Sequence, residues 1–371
     1  MRCIAFGVLF VITLVAAVFT APCARAEDHI RLSLAEAVYR AWKVSDVLRA
    51  AEAALEKASE QRKYAGELAG SFVPAPGINQ SPMADVNWSG LLKADANERM
   101  AQRDLENKRE SVALDVYQKY FAVLSAQEAV KKAEAAVVRD RWALQVARAV
   151  YWSGCGTRTQ VAAAEAKVEG TEKGLSAAQE ALNKAYVALN RAVGLRPEDR
   201  PEINEDPVIT PLNVANLEVE IDQAVSRSPD IFKLEILKTM AEWDLYYPWT
   251  VDMYGQAVYR NYNVQKHEVD IADLNLASAR DALRERVRTT YHDIRALEEQ
   301  EAALEAAVRT ARDGLRVVQA QYKVGLVAKD KVREAEAALA EVQANLKSMK
   351  CQHASLLAAW RYLTGQPVAV L

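Results

Sequence analysis

The sequence is poor in the residues that interrupt helices. It holds only 11 prolines and 14 glycines in 371 residues. No proline occurs from 83 to 196 or from 249 to 366. Proline inside a helix costs roughly 3 kcal/mol, so its absence permits very long helices. The same scarcity excludes collagen-like and Gly/Pro-rich disordered chains. It also argues against a Rossmann fold or a β-sandwich, which need turn residues every ten or so positions. Cysteine is scarce too, at four. Cys3 and Cys23 fall in the N-terminal leader, so Cys155 and Cys351 remain, and two lone thiols make no disulfide framework. Nor is there an excess of one charge: 47 basic against 50 acidic residues leave −3. Charge therefore gives no sign of nucleic-acid binding.

One long uncharged run is present, from Cys3 to Ala24, after Arg2. It ends in Ala24-Arg25-Ala26, an A-x-A site followed by Glu27. This reads as an export signal over 1–26, cleaved after Ala26. An uncleaved anchor is the alternative, because 22 uncharged residues are long enough to span a bilayer.

What fills the proline-free runs is Ala, Leu, Glu, Lys and Arg, with apolar residues recurring at threes and fours. From Leu105 the stripe passes through Val112, Val116, Phe121, Leu124, Val130, Val137, Leu144 and Val150. That spacing predicts an amphipathic helix over about 92–151, roughly 90 Å long at ~1.5 Å per residue. Ser153-Gly154-Cys155-Gly156-Thr157 breaks it, and a second helix follows over about 159–193, capped by Gly194.

A shift of 171 superposes the second half on the first without gaps. Leu105 meets Leu276, Val116 meets Val287, Tyr120 meets Tyr291, Tyr151 meets Tyr322, Gly154 meets Gly325 and Gly194 meets Gly365. Alanine richness does not explain the tyrosines and glycines, so the chain reads as an internal duplication. Shorter helices open each half, over about 34–68 and 219–245. Aligning Ala37 with Ala224 sets their shift at 187. Breaks are expected at Ser45-Asp46 and at Ser228-Pro229-Asp230. The expected organisation is a first repeat over 27–194, a proline-bearing linker or belt over 195–216, and a second repeat over 217–371. Two short helices laid end to end match one long helix. The expected fold is therefore all-α: an elongated antiparallel bundle or coiled coil of two tandem repeats, with little or no β. Long helices with narrow apolar seams bury too little surface alone, which favours association.

The export signal, the duplicated short–long–short pattern and the sequence Tyr322-Lys323-Val324-Gly325-Leu326-Val327 with Asp330 and Val332 resemble the TolC family of outer-membrane efflux ducts. The first half carries a looser version, Tyr151-Trp152-Ser153-Gly154 with Val161. The resemblance covers most of 33–365. It implies a homotrimer whose twelve helical strands form a hollow α-barrel in the outer membrane or periplasm. It also implies a tip that meets a periplasmic adaptor protein and an inner-membrane pump. Tyr151, Trp152, Gly154, Tyr322, Val324, Gly325 and Leu326 are the expected adaptor-contact residues.

The sequence departs from the family twice. Family members carry membrane strands in the segments that join short to long helices, and a strand pair needs over ~20 residues. Here the joining segments, 70–90 and 246–263, are short, the first holds Pro74, Pro76 and Pro82, and 251–258 offers one strand at most. A reduced or missing barrel is expected. The aromatics Trp243, Tyr246, Tyr247, Trp249, Tyr254, Tyr259 and Tyr262 then either touch a membrane interface or plug the end of the bundle. Secondly, the family often places an acid six residues after the turn glycine, where this chain has Gln160 and Lys331. Asp330 and Glu334 stand in as candidates for a pore constriction, against a reading as ordinary solvated helix charges.

No site for chemistry emerges. His29, His267, His292 and His353 stand at no metal-binding spacing, and phosphate loops and nucleophile constellations are missing. The expectation is no enzyme, no cofactor and no metal. Two functions remain open: an efflux or export duct, and a structural envelope coiled coil without a lumen.

Overall fold

A computed structural model describes residues 31–70, 82–203, 205 and 207–368. The expected signal peptide lies outside them. Eight helices and one small hairpin make up the rest: α1 Leu34–Val44, α2 Asp46–Gly70, α3 Pro82–Trp152, α4 Arg158–Val193, α5 Leu217–Arg227, α6 Pro229–Tyr246, β1 Trp249–Val251, β2 Ala257–Tyr259, α7 Tyr262–Lys323 and α8 Lys329–Leu363.

The expected all-α fold is observed. α3 has 71 residues, α7 62, α4 36 and α8 35. At ~1.5 Å per residue α3 is about 105 Å long. It begins ten residues before the sequence suggested, at Pro82. Proline fits the first turn of a helix because the N–H it lacks would have no partner there. What reads as a connecting loop is thus the start of the longest helix.

Packing arranges these helices as a four-strand ribbon. α3 lies between α2 and α4 on one side and α6 and α8 on the other, and α7 flanks α6 and α8. α2 and α4 therefore form one composite strand, and α6 and α8 another. Among the described residues α7 has no extended packing on α2 or α4, so the ribbon is open. The α3–α4 and α7–α8 turns lie at one end, the hairpin at the other. Where the composite strands join lies the equator.

The core sits at the equator. One cluster gathers Val38 and Ala41 of α1, Val116, Tyr120, Val123 and Leu124 of α3, Leu189 and Val193 of α4, and Cys351 and Ala358 of α8. Leu32, Ile203 and Val368 join it, so the N-terminal entry, the linker and the C-terminal exit meet there. A second cluster holds Ile221, Ala224, Val287, Ile294, Trp360 and Leu363.

The duplication is visible in the helix ends. α3 and α7 end 171 residues apart, at Trp152 and Lys323, and α4 and α8 start 171 apart. For the short helices the structure corrects the register. α1 and α5 each have 11 residues and superpose at a shift of 183. Val38 then meets Ile221, Ala41 meets Ala224 and Ser45 meets Ser228. The shift of 187 was one helical turn off, and a one-turn slip keeps the same apolar face, so the pattern could not separate the two. Both breaks use serine as a cap: Ser45 Oγ accepts from Leu48 N at 3.4 Å, and Ser228 Oγ from Ile231 N at 3.3 Å, with Pro229 next in line.

A second correction concerns 251–258. Instead of one strand, two three-residue strands pair antiparallel, Trp249 with Tyr259 and Val251 with Ala257. They are the only strands among the described residues. At about 3.3 Å per residue each reaches ~10 Å, a third of a bilayer core of ~30 Å. Between Gly70 and Pro82 only eleven residues intervene, fewer than a membrane strand pair needs.

Candidate functional site: the two tip turns

Both long helices end in the same way. Cys155 N donates to Val150 O at 3.1 Å and Gly154 N to Tyr151 O at 3.0 Å. Leu326 N donates to Gln321 O at 2.9 Å and Gly325 N to Tyr322 O at 3.0 Å. These paired bonds need a left-handed residue after the helix. Gly154 and Gly325 supply it, with φ of 80° and 78°. The turn chemistry thus explains both glycines without reference to a partner.

Around the turns the side chains are bare. Trp152 is 79% exposed, Leu326 75% and Val324 71%, and Tyr151 and Tyr322 are exposed as well. All seven sequence-predicted tip residues lie in these two turns. Large exposed apolar side chains in a cluster mark interaction surfaces.

The helices leaving the tip start differently. Thr157 heads α4 in a capping box, its hydroxyl accepting from Gln160 N while Gln160 Oε1 accepts from Thr157 N at 3.0 Å. Ala328, just before α8, offers no side-chain cap. Asp330 instead places an acid in the first turn, where the helix dipole favours it. Glu334 is bound to Lys331 at 2.8 Å, and that contact holds its carboxyl below the usual range. The two proposed constriction acids are thus a helix-start charge and half of an exposed ion pair.

Behind the tip, polar contacts between helices stand beside the buried Val137, Val332 and Ala337. Arg148 meets Glu165 and Arg141 meets Glu172 between α3 and α4, each at 2.7 Å. Lys132 reaches Glu341 of α8 at 2.8 Å, and the Lys329 ammonium lies 4.6 Å above the Trp142 ring. Asp140, 1% exposed, takes the Arg139 guanidinium at 2.7 and 3.0 Å and Lys167 of α4 at 3.4 Å. Burial pushes its carboxyl up, but Arg139 and Lys167 outweigh that and hold it below the usual range.

At the opposite end Tyr246, Tyr254, Tyr259 and Tyr262 are exposed, while Trp243, Tyr247 and Trp249 are half-buried. Tyr246 meets Tyr247 edge-on at 4.8 Å, and Trp249 meets Tyr259 edge-on at 5.5 Å.

Sequence reasoning missed two polar knots at the equator. Asn190 is fully buried, and its amide donates to Arg196 O and Asp199 O at 2.9 and 2.8 Å, pinning the linker to α4. Glu298 accepts from Leu212 N and Arg295 and lies 3.5 Å from the buried His353. Burial pushes Glu298 up, yet Arg295, Leu212 N and His353 hold it low. Asn190 lies four residues before Gly194, a spacing that flags a helix-end contact; Glu298 and His353 carry no local signal. Among the described residues no group of three or more His, Cys, Asp or Glu side chains converges on a metal position. No helix there is long and apolar enough to cross a membrane.

Comparison with known proteins agrees with this architecture. The outer membrane efflux protein family matches over residues 84–195 and 249–366. Among solved structures, the outer-membrane channel OprN is 15% identical with a TM-score of 0.70, covering 90% of each chain. The CmeC outer membrane channel of Campylobacter jejuni is 13% identical with a TM-score of 0.68, over 90% of this chain and 85% of that one. The outer membrane protein VceC of Vibrio cholerae is 15% identical with a TM-score of 0.67, over 91% and 97%. No curated protein matches the sequence.

Proposed function

The chain belongs to the outer membrane efflux protein family, and from that premise we propose that it is one subunit of a trimeric envelope duct for efflux or export. The open ribbon carries this reading. Four helical strands lie side by side with two unpartnered edges, α2 and α4 on one side and α7 on the other. Val264, Ile271 and Leu274 on α7 and Tyr64 and Leu68 on α2 are exposed apolar side chains on those edge helices. Copies of the same chain, edge to edge, bury them, and a curved ribbon closing on itself leaves a lumen. Three copies give twelve strands.

In this reading the tip turns face away from the outer membrane. Their exposed Trp152, Val324 and Leu326 dock a periplasmic adaptor, which couples the duct to an inner-membrane pump. Asp330 and Glu334 line the narrow end only if they turn to the lumen when the ring closes. The exported chain works in the cell envelope, at the outer membrane or in the periplasm.

Native mass measurement with negative-stain imaging of the purified protein tests the assembly. A trimer with an axial hole supports the duct. A monomer, or a rod filled along its axis, overturns it and leaves the solid coiled coil.

A further inference from the structure

The hairpin end presents an unusual surface. From Trp249 to Tyr259 the one charged side chain is Asp252. Asp252 is turned to its own loop: Oδ1 accepts from Tyr254 N at 2.9 Å and from Gln256 N at 2.8 Å. Gly255, at φ 76°, completes the turn. Next to the hairpin, Asp244 of α6 binds both Lys93 of α3 and Arg260, so these charges are satisfied internally. Apart from Gln256, what faces outward is apolar and phenolic. Met253 is 89% exposed and Tyr254 80%, with Val251, Val258 and Tyr259 also exposed.

A lipid surface fits this end. Tyrosine and tryptophan are favoured at headgroup level, where the ring is half in hydrocarbon and the polar atom is wet. Loop amides entering such a layer must be satisfied internally, and Asp252 does this. Depth is bounded by the same physics. Strands of ~10 Å cannot cross a ~30 Å core, and the outer edges of a two-strand ribbon leave backbone groups that hydrocarbon cannot satisfy.

We propose that the β1–β2 hairpin is a membrane foot that beds Met253 and Tyr254 in the headgroup layer of a lipid bilayer without crossing it. The proposal rests on the duct reading for which membrane is touched: the periplasmic face of the outer membrane. With one foot per copy, a trimer stands on three. Because the hairpin offers no net cationic charge, the contact is carried by apolar and phenolic side chains rather than by anionic lipid.

Flotation of the full-length protein with phosphatidylcholine vesicles tests this. The wild-type protein should co-float, with the bound fraction unchanged between low and high salt. The double variant M253D/Y254D should lose at least tenfold of the bound fraction while keeping the wild-type oligomeric mass. A fluorophore on Met253→Cys in a Cys155→Ser background should shift to the blue with vesicles. It should be quenched more by headgroup-depth than by chain-end quenchers. Failure of the wild-type protein to float, binding that survives the double substitution, or quenching from the bilayer centre would each overturn the foot. So would binding that needs envelope proteins in the vesicles. A ring-forming protein indifferent to lipid refutes the foot and spares the duct, whereas loss of the ring refutes the duct itself.

Discussion

The same backbone turn closes helices at two places in each repeat, and its surroundings differ completely. At the tip, Gly154 and Gly325 have open space where a side chain would start. At the equator, Gly194 and Gly365 have φ of 73° and 66°, but a Cβ there would lie 2.8 Å from Val44 and 2.9 Å from Arg227. Val44 and Arg227 are the last residues of α1 and α5, equivalent at the shift of 183. Each half thus uses one turn to lock a packed joint and another to hold apolar side chains in open space. Local geometry is common to all four turns. What surrounds them separates a joint that holds the chain together from an end that stands open.

The comparison breaks most readily at the joint. Tyr120 is fully buried, and its hydroxyl donates to Leu32 O at 3.2 Å. Burial pushes its phenol well above the ordinary value. Tyr120→Ala removes an aromatic ring from the first cluster and should cost about 3–5 kcal/mol, read from denaturant unfolding. Its repeat mate Tyr291 is only half-buried beside the second cluster, so Tyr291→Ala should cost less. Equal losses would mean that the two joints are not distinct in strength.

The glycines come next. Gly194→Ala adds overpacking against Val44 to left-handed strain, together about 2–4 kcal/mol. Gly154→Ala incurs the strain alone, about 1 kcal/mol. Adding Val44→Ala should restore part of the loss at 194 and nothing at 154, which a double-mutant cycle resolves. A Gly154→Ala loss as large as that at 194 would show that the tip is packed after all.

Much of this was legible in the sequence because duplication and proline placement are strong signals. The shift of 171 located both tip turns and both equatorial glycines. The short helices were misaligned by one turn because Ala and Val recur every three or four residues on α1 and α5. Residues 82–91 read as loop because Pro82 stops a helix as easily as it starts one. The Glu298 knot was not legible, since Glu298, Leu212 and His353 meet only when the linker folds back on α7 and α8. Nor does a sequence tell which exposed apolar residues remain bare: Trp152 and Trp360 look alike in the string, yet one is bare and the other buried.

A smaller effect distinguishes the stretch between joint and tip, where ion pairs accompany the buried apolar side chains. Asp140 has its carboxyl held low in the folded chain. Its stabilisation is therefore present above the unfolded carboxylate pKa of about 3.9 and lost as pH falls through the lower folded value. Asp140→Asn keeps the shape and removes the charge beside Arg139 and Lys167. It should cost about 1–3 kcal/mol at neutral pH and flatten the fall of the unfolding midpoint below pH 4. An unchanged acid limb would place the acid sensitivity elsewhere.

The smallest effect on stability is expected at the tip, and that is what makes it diagnostic. Trp152→Ser, Val324→Asp and Leu326→Asp change side chains that touch little, so each should move the unfolding free energy by no more than about 0.5 kcal/mol. If these side chains serve a partner, the same variants should abolish photo-crosslinks from the tip to the adaptor and stop export, with the ring assembled as before. If instead they matter only to the fold, stability and crosslinking should fall together. A bare tip that tolerates aspartate in both assays would be neither joint nor docking end, and its apolar side chains would need another explanation. Export lost at unchanged stability is the one outcome that joint-type packing cannot produce.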